Sequence, residues 1–306
     1  MPTLQQLRYL VAIAETLHFR RAAEMTHVTQ PTLSGQLREL EVKLGVQLVE
    51  RNRSGVILTP TGDAIAARAR SILRDVQDIV DLAKQGQTLL GSTIRLGVLH
   101  SLGPYLLPHF LPELHKAYPD LRLYIREAMP EELLHGLNDG RLDLLLFPLP
   151  VKSAVLQTAN LFREPLWVIA PKDHGIARSD SVSRADLEGE TVLTLEPGHR
   201  LHDQVKELCA AFGADLSHDY EGTSLDTIRQ MVGMGMGLSF LPALYVTAEV
   251  LKDDQIIARQ LHPQPPFRTI GLVWRDKAGK ENEFLVLADL IRARVGASAP
   301  EVTILR

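Results

Sequence analysis

Several features that define common classes of protein are scarce in this sequence. Of its 306 residues one is a cysteine, Cys209, which excludes an internal disulfide framework and a metal site made of several cysteines. No apolar run approaches the ~20 residues that a membrane-spanning helix needs. The first 19 residues carry Arg8 and Glu15, where a signal peptide would be continuously apolar. We therefore expect a soluble, cytoplasmic protein with no membrane partner.

The net charge is small, and its distribution is more informative than its size. The formal value is −4 at pH 7 for the whole chain. Residues 1–90 hold 11 basic and 9 acidic residues, a net +2, whereas residues 91–306 hold 22 basic and 28 acidic residues, a net −6. The boundary between the two differently charged parts lies at Gly91-Ser92-Thr93, a pattern that indicates the end of a helix and a turn. The sequence thus joins a slightly basic N-terminal part, which is compatible with nucleic-acid binding, to an acidic remainder.

Signatures of catalysis and of metal binding are absent from the sequence. It contains no Gly-x-Ser-x-Gly elbow, no Walker loop and no His-Glu-x-x-His helix. The glycines of 233–237 follow a predicted helix and precede a strand, which is the reverse of the order that binds a dinucleotide. His199 and His202 have no third ligand at matching spacing. We expect no enzymatic activity, no metal and no cofactor.

The first residues have the pattern of a helix-turn-helix. Apolar residues repeat with helical spacing over Leu4–Thr16, and a second short helix is predicted at Arg20–Met25. Thr29 is then a good N-cap, and Pro31 suits the first turn of a third helix. That helix keeps one apolar face until Gly45 ends it. Two helices joined by a four-residue turn are typical of DNA-binding domains.

A hairpin and a long helix follow. Val46–Leu58 has two apolar segments around Arg51-Asn52-Arg53, which predicts a hairpin with a basic tip, the wing of a winged helix-turn-helix. Residues 61 to about 87 are predicted to form one helix of ~40 Å, whose apolar stripe indicates a partner helix and therefore a dimer. Beyond residue 91, strands such as Thr93–Leu99 alternate with helices such as Pro104–Ala117. This alternation is typical of an α/β fold with mostly parallel strands.

The motifs of the N-terminal part resemble the DNA-binding domain of LysR-type transcriptional regulators. The resemblance rests on Phe19-Arg20-Arg21-Ala22-Ala23, Val28-Thr29-Gln30-Pro31-Thr32-Leu33-Ser34, Leu40-Glu41 and Leu58-Thr59-Pro60-Thr61-Gly62. The rest of the chain resembles the peroxide-sensing branch of the same family. That likeness rests on Gly103-Pro104-Tyr105-Leu106-Leu107-Pro108, Gly198-His199, Asp203-Gln204, Thr223-Ser224-Leu225 and Leu241-Pro242-Ala243.

The resemblance implies a domain plan and a set of partners. It implies a winged helix-turn-helix at residues 1–60, a dimerising linker helix at 61–90 and an α/β effector domain at 91–306. The effector domain would be similar to periplasmic binding proteins, with an inducer bound between two Rossmann-like subdomains. These subdomains would comprise about 91–162 with 267–306, and about 163–266. The family further implies a homodimer or homotetramer on promoter double-stranded DNA, with RNA polymerase as a partner.

Polar side chains at the front of the third helix are suited to read base edges in the major groove. Arginines of the wing and of the second helix would bind phosphates and set the register. A proline could contact a thymine methyl. The predicted DNA contacts are Arg20, Arg21, Gln30, Pro31, Thr32, Ser34, Gln36, Arg51 and Arg53. Taken without the resemblance, Thr32 and Ser34 would be explained by helix capping alone.

The sequence departs from the peroxide-sensing branch at the residue that would react with peroxide. Arg200 stands where that branch has its reactive cysteine, and an arginine cannot supply a low-pKa thiolate. Pro130 replaces a threonine that would help to hold peroxide, whereas Ser101 keeps the other hydroxyl. Cys209 matches the second, resolving cysteine, and its place on the apolar side of a helix indicates a buried, inert thiol. Peroxide sensing through an intramolecular disulfide is therefore not expected.

Two basic residues at a helix start instead indicate a small anionic effector, most simply a carboxylate. Free backbone N–H groups there favour negative charge, and Arg200 could clamp a carboxylate. The predicted effector contacts are His100, Ser101, Leu102, Met129, Pro130, His199, Arg200, Thr223 and Ser224. Two alternatives stay open. Arg200 could pair with Glu196 or Asp203 and touch no ligand, or the chain could be an oxidant-responsive regulator that acts through Cys209, for example by an intermolecular disulfide.

The wing assignment predicts a salt-dependent phenotype for Arg51→Ala. Removal of one phosphate contact should weaken binding to all DNA sequences alike and flatten the dependence of affinity on salt, lowering the log–log slope by about one. Fluorescence anisotropy at several salt concentrations measures both quantities. An affinity and a slope equal to those of the unsubstituted protein would show that Arg51 does not contact the phosphates.

Overall fold

The structure is a computed structural model that describes residues 1–52, 55–84, 90, 93–218, 222–276 and 278–305. The chain forms two compact units that divide near residue 90. None of the helices in these residues combines the length and the apolar character that crossing a membrane requires.

The N-terminal unit begins with three helices whose ends carry capping residues. Thr3 and Gln6 form a capping box at the first helix, and the hydroxyl of Thr29 accepts a hydrogen bond from the N–H of Thr32 at the third. Gly45, with a φ of 70°, ends the third helix in the left-handed region. The elements are α1 (Leu4–Thr16), α2 (Phe19–Met25), α3 (Gln30–Leu44), β1 (Val49–Asn52), β2 (Gly55–Leu58) and α4 (Pro60–Lys84).

One apolar core joins these helices to the β1–β2 hairpin. Leu33, Leu37 and Leu40 lie on one face of α3 and are fully buried, together with Leu10 and Ile13 of α1. Their spacing is that of a helix with a single apolar face. The predicted winged helix-turn-helix and the long helix after it are confirmed. The tip of the wing at 53–54 and the predicted end of the linker at 85–89 lie outside the described residues.

The C-terminal unit contains two apolar cores. We call lobe I the part whose core comes from residues 90–162 and 270–299, and lobe II the part whose core comes from 166–261. The helices of the unit are α5 (Gly103–Leu106), α6 (Leu111–Ala117), α7 (Pro130–Asn138), α8 (Arg200–Phe212), α9 (Leu225–Gly233), α10 (Ala243–Ala248) and α11 (Glu281–Ser298). Its strands are β3 (Thr93–Val98), β4 (Arg122–Glu127), β5 (Leu144–Leu149), β6 (Leu156–Pro171), β7 (Ser181–Val182), β8 (Thr191–Leu193), β9 (Asp215–Leu216), β10 (Leu238–Pro242), β11 (Ile256–Leu261), β12 (Phe267–Arg275) and β13 (Thr303–Ile304).

One sheet runs through both lobes, and it is mixed rather than mostly parallel as predicted. Its central path is β4-β3-β5-β12-β6-β10-β8-β9. The pairs β3–β4, β3–β5, β8–β10 and β8–β9 are parallel, whereas β12 is antiparallel to β5 and to β6, and β6 is antiparallel to β10 and β11. The difference arises because β6 carries the chain from lobe I into lobe II and β12 carries it back, so the two crossover strands run in opposite directions.

The helix predicted at Pro104–Ala117 is also interrupted. It consists of α5, a 3₁₀ turn at Leu107–His109 and α6. Pro108 and Pro112 lie in this stretch and have no N–H to donate to the carbonyl one turn earlier. The apolar spacing predicted the buried face correctly, since Leu106, Phe110 and Leu114 are buried.

A buried ion pair joins the two crossover strands. Arg268 of β12 donates from Nε to Oε2 of Glu164 in β6 at 2.7 Å, and their side chains are 4% and 0% exposed. The other oxygen of Glu164 accepts from the N–H of Leu244 in α10 at 3.0 Å. Arg268 also donates to the carbonyl of Ser101 at 3.1 Å. The pair therefore connects both crossovers to the loop after β3 at Ser101 and to α10 at Leu244.

Removing one partner of this pair should destabilise the C-terminal unit strongly. We expect Glu164→Ala to lower its free energy of unfolding by about 3–5 kcal/mol, because the guanidinium of Arg268 would stay buried without a counter-charge. Urea denaturation followed by the fluorescence of Trp167, which lies on β6 near Glu164, measures the loss.

Two variants serve as controls for this prediction. Glu113→Ala breaks an exposed pair with Arg294 and should cost less than about 1 kcal/mol. The double variant Glu164→Leu with Arg268→Met removes both buried charges and should be more stable than Glu164→Ala. A double variant less stable than the single one would contradict this account of the pair.

Candidate nucleic-acid interface and effector cleft

The first turn of α3 presents polar side chains to solvent, as a recognition helix requires. Gln30, Pro31 and Thr32 are exposed, and Ser34 is partly buried. The hydroxyls of Thr29 and Thr32 are 2.8 Å apart, so Thr32 takes part in the cap while its side chain stays exposed. The predicted base contacts thus stand on one rigid, capped helix turn.

Gln36 differs from the other predicted base contacts because its amide already has partners inside the domain. Its carbonyl oxygen accepts from Nε2 of the buried Gln6 at 3.2 Å, and its own Nε2 donates to Glu39 at 3.2 Å. An amide has two N–H groups and two acceptor sites, so one of each remains for a base contact. The two bonds fix the orientation of the Gln36 side chain in the middle of α3.

The predicted phosphate contacts fall into two groups. Arg20 and Arg21 are exposed on α2, and Arg20 pairs with Glu24 one turn later at 3.1 Å. Within the described part of the chain, Arg21 has no ion-pair partner, so its guanidinium is available to a phosphate. Arg51 is a residue of β1 whose side chain lies outside the description, and Arg53 lies outside the described residues altogether.

The predicted effector residues lie at the ends of strands and at helix starts of the C-terminal unit. His100, Ser101 and Leu102 follow β3, and Met129 and Pro130 follow β4. Because β3 and β4 are parallel neighbours, their carboxyl ends meet at one edge of the sheet, where ligands of α/β folds bind. The side chains differ in access: His100 is exposed, Met129 is partly buried, and Ser101, Leu102 and Pro130 are buried.

A close contact joins this edge to the loop before α8. The terminal methyl of Met129 lies 3.5 Å from the position that a Cβ of Gly198 would occupy, and Gly198 has a φ of 97°. Gly198 is followed by His199 and Arg200, which start α8. The structure therefore brings the lobe I residue Met129 next to the lobe II residues predicted to bind the effector.

Thr223 and Ser224 precede α9 in lobe II. Ser224 is the N-cap of α9, and its hydroxyl accepts from the N–H of Thr227 at 3.4 Å. Thr223 is exposed. A bridge between Leu195 and Gly222 brings this segment beside the chain that leads to α8. The hydroxyl of Ser224 is thus engaged in capping, whereas that of Thr223 is exposed to solvent.

The hydroxyl of Ser101 is also engaged within the protein. Its Oγ lies 3.4 Å from a guanidinium nitrogen of Arg268, and both residues are buried. Sequence reasoning expected this hydroxyl to face the effector and missed Arg268 and Glu164. The pairing of Glu164 with Arg268 leaves no signal in a single sequence, because the two residues are 104 positions apart.

His199 is a buried polar side chain at the predicted effector site. Its side chain is 7% exposed, and its Nε2 is buried without a hydrogen-bond partner. The nearest carboxylate oxygen, Oε1 of Glu196, is 3.8 Å away, beyond hydrogen-bond reach. Burial lowers the pKa of His199, against an opposing effect of Glu196 and with smaller contributions from His100 and His202. His199 is therefore neutral at pH 7.

Arg200 is exposed at the first position of α8, and it pairs with neither carboxylate considered above. Its guanidinium donates to the carbonyl of Pro150 at 2.7 Å, and among the described residues it forms no ion pair with Glu196 or Asp203. Arg200 follows the N-cap residue His199, at a helix N-terminus, where backbone N–H groups favour an anion.

Cys209 has the environment of an inert thiol. It is 3% exposed on the inner side of α8, and burial raises its pKa to about 11. At pH 7 the thiolate fraction of such a group is on the order of 10⁻⁴. Because the thiolate is the reactive form, this position is poorly suited to attack a peroxide or a second thiol.

Comparisons with known proteins match both the N-terminal and the C-terminal part of the chain to the same family. Residues 4–63 match the bacterial regulatory helix-turn-helix protein, lysR family, and residues 87–296 match the LysR substrate binding domain. The DNA-binding transcriptional dual regulator OxyR of Escherichia coli is 42% identical over 95% of both chains. A protein of Dickeya chrysanthemi named hydrogen peroxide-inducible genes activator is 40% identical over 94% of both.

A solved structure supports the same assignment. A cysteine-to-aspartate variant of full-length OxyR from Pseudomonas aeruginosa has a TM-score of 0.82 to this chain, with 39% identity over 95% of each chain. The predicted fold class, an N-terminal winged helix-turn-helix followed by an α/β effector domain, is confirmed by these matches. With two family domains in the expected order and whole-chain relatives, the protein belongs to the LysR family of DNA-binding transcriptional regulators.

Proposed function

We propose that this LysR-family regulator responds to a small anion, most simply a carboxylate, bound between lobes I and II. It would act in the cytoplasm as a homodimer or homotetramer on promoter double-stranded DNA, with RNA polymerase as a partner and without catalytic activity. The proposed domain plan is DNA binding by 1–60, a linker helix at 61–90 and effector binding by 91–306. The effector domain would divide into subdomain I (91–162 and 267–306) and subdomain II (163–266).

The observation that carries the anion proposal is the unpartnered Nε2 of His199. Buried polar atoms are almost always hydrogen-bonded, so one without a partner at a predicted ligand site points to a missing ligand group. A carboxylate oxygen at this position would accept from His199, from the guanidinium of Arg200 and from free backbone N–H groups of α8. Such charge-assisted hydrogen bonds are about twice as strong as neutral ones.

A second candidate, an oxidant-responsive regulator, is favoured by the names of the relatives. Several are called hydrogen peroxide-inducible genes activators, and they support an oxidant response better than they support an anionic effector. An oxidant response through Cys209 requires a reactive thiol, whereas this thiol is buried and its pKa is raised. We therefore place the anion first on the geometry of the site and keep the oxidant as the competing hypothesis.

Substitution of Arg200 tests the anion proposal. A calorimetric screen of organic acids is expected to find a carboxylate whose affinity falls roughly 10- to 100-fold in Arg200→Ala, the effect of losing a hydrogen bond to a charged group. Lys206→Ala removes an exposed positive charge from the same helix and should leave the affinity unchanged. Equal affinities in all three proteins would exclude the clamp.

The proposal also predicts that affinity depends on pH. His199 has a lowered pKa in the free protein, and a bound anion would raise that pKa, so binding takes up a proton. The affinity for a carboxylate should therefore increase as the pH falls from the raised pKa of His199 in the complex towards its lowered pKa in the free protein, as long as the acid itself stays ionised. In His199→Gln this increase should vanish. A pH dependence that persists in the variant would mean that a group other than His199 takes up the proton on binding.

A thiol substitution tests the competing hypothesis. In a promoter–reporter strain exposed to hydrogen peroxide, Cys209→Ser should behave like the unsubstituted protein, because the buried thiol is almost entirely protonated. Loss of a peroxide response in Cys209→Ser, with normal protein level and DNA binding, would establish the oxidant function through Cys209 and overturn our ranking.

A further inference from the structure

Two side chains of α8 donate hydrogen bonds to backbone carbonyls outside lobe II. Arg200 donates to the carbonyl of Pro150, the residue that follows β5 in lobe I, at 2.7 Å. Gln204 donates from Nε2 to the carbonyl of Phe267, the first residue of β12, at 2.8 Å. Arg200 and Gln204 are four residues apart and so lie on one face of α8, one turn above the other.

The opposite face of α8 fixes the helix in lobe II. Leu201, Val205 and Cys209 are buried in the lobe II core. Any rotation of lobe II relative to lobe I therefore moves α8 and strains the bonds that Arg200 and Gln204 make. The two bonds link lobe II to the end of β5 and to the start of the returning crossover β12.

The acceptor of the Gln204 link is itself held in place. The ring of Phe267 lies 4.7 Å from the guanidinium carbon of Arg163, and the next residue, Arg268, forms the buried pair with Glu164. The carbonyl before it, that of Pro266, accepts from the N–H of Leu166 at 2.7 Å. The Gln204 link thus ties α8 to a segment of the returning crossover that three further contacts hold in place.

The Arg200 link has a different character because its donor is charged and its acceptor is neutral. Arg200 follows His199, whose Nε2 lacks a partner. An anion at His199 offers Arg200 a stronger acceptor than the Pro150 carbonyl does. Gln204 carries no charge and gains nothing comparable from an anion.

We propose that Arg200 is a releasable link and Gln204 a permanent one, so that an anion bound at His199 draws Arg200 away from Pro150 and frees the first turn of α8 from the end of β5 in lobe I. The release of Arg200 rests on the proposed anion site. In the effector-free protein the two links restrain α8, and this restraint does not depend on the anion site. Gln204 is on this account a positioning residue that opposes the change the effector produces.

Hydrogen exchange on the full-length, effector-free protein tests the restraint. Gln204→Met keeps the size of the side chain and removes the donor, and it should speed exchange of the amides in 199–205 and 266–270 about three- to tenfold. Arg200→Ala should do the same at 199–205. Lys206→Ala, on the exposed side of α8, should change neither segment. Unchanged exchange in Gln204→Met at an unchanged melting temperature would overturn the restraint.

Acetate binding, measured by calorimetry at constant ionic strength, tests the release. The two link variants should change affinity in opposite directions: Arg200→Ala should weaken acetate binding at least tenfold, whereas Gln204→Met should strengthen it two- to fivefold by removing an opposing restraint. A loss of affinity in both would mean that Gln204 merely supports the helix. If acetate does not bind the unsubstituted protein, the anion site and the release fail together, and the exchange experiment still decides the restraint.

Discussion

The buried pair of Arg268 and Glu164 is the interaction on which the rest of the effector unit depends. Two fully desolvated charges are tolerated in a protein interior only with good geometry and additional hydrogen bonds. Here those bonds involve Ser101 in the loop after β3 and Leu244 of α10. The charge requirement therefore fixes where both crossovers, the loop after β3 and the start of α10 stand relative to one another. The cleft with His199 is built around that fixed point.

The sequence predicts the DNA-binding unit well because its structure is encoded locally. Thr29, Pro31 and Gly45 set the limits of α3 within a few residues of chain, and the leucine spacing sets its buried face. The interrupted helix before Ala117 was predictable in principle from Pro108 and Pro112. The antiparallel direction of the crossover strands could not be predicted from the sequence. Strand direction depends on how the chain passes between the lobes, and local periodicity carries no information about it.

The candidate site likewise has one part that is predictable from the sequence and one part that is not. His199 and Arg200 were found because a helix start and two basic residues are adjacent in sequence. Arg268 was missed because its partners Ser101 and Glu164 are 167 and 104 residues away, a separation over which one sequence carries no pairing information. The resemblance implies a reactive cysteine where this sequence has Arg200. Under our proposal, a positive charge at this position favours reversible binding of an anion over covalent chemistry of a thiol.

The most direct test of the central claim is to sequence the genomic DNA that the purified protein retains, with and without added compounds. Our account predicts that at least one organic acid shifts the retained sites or their occupancy, and that hydrogen peroxide at non-denaturing concentrations shifts neither. A response to peroxide with none to any organic acid would contradict it and would return the protein to the oxidant-sensing mode of its relatives.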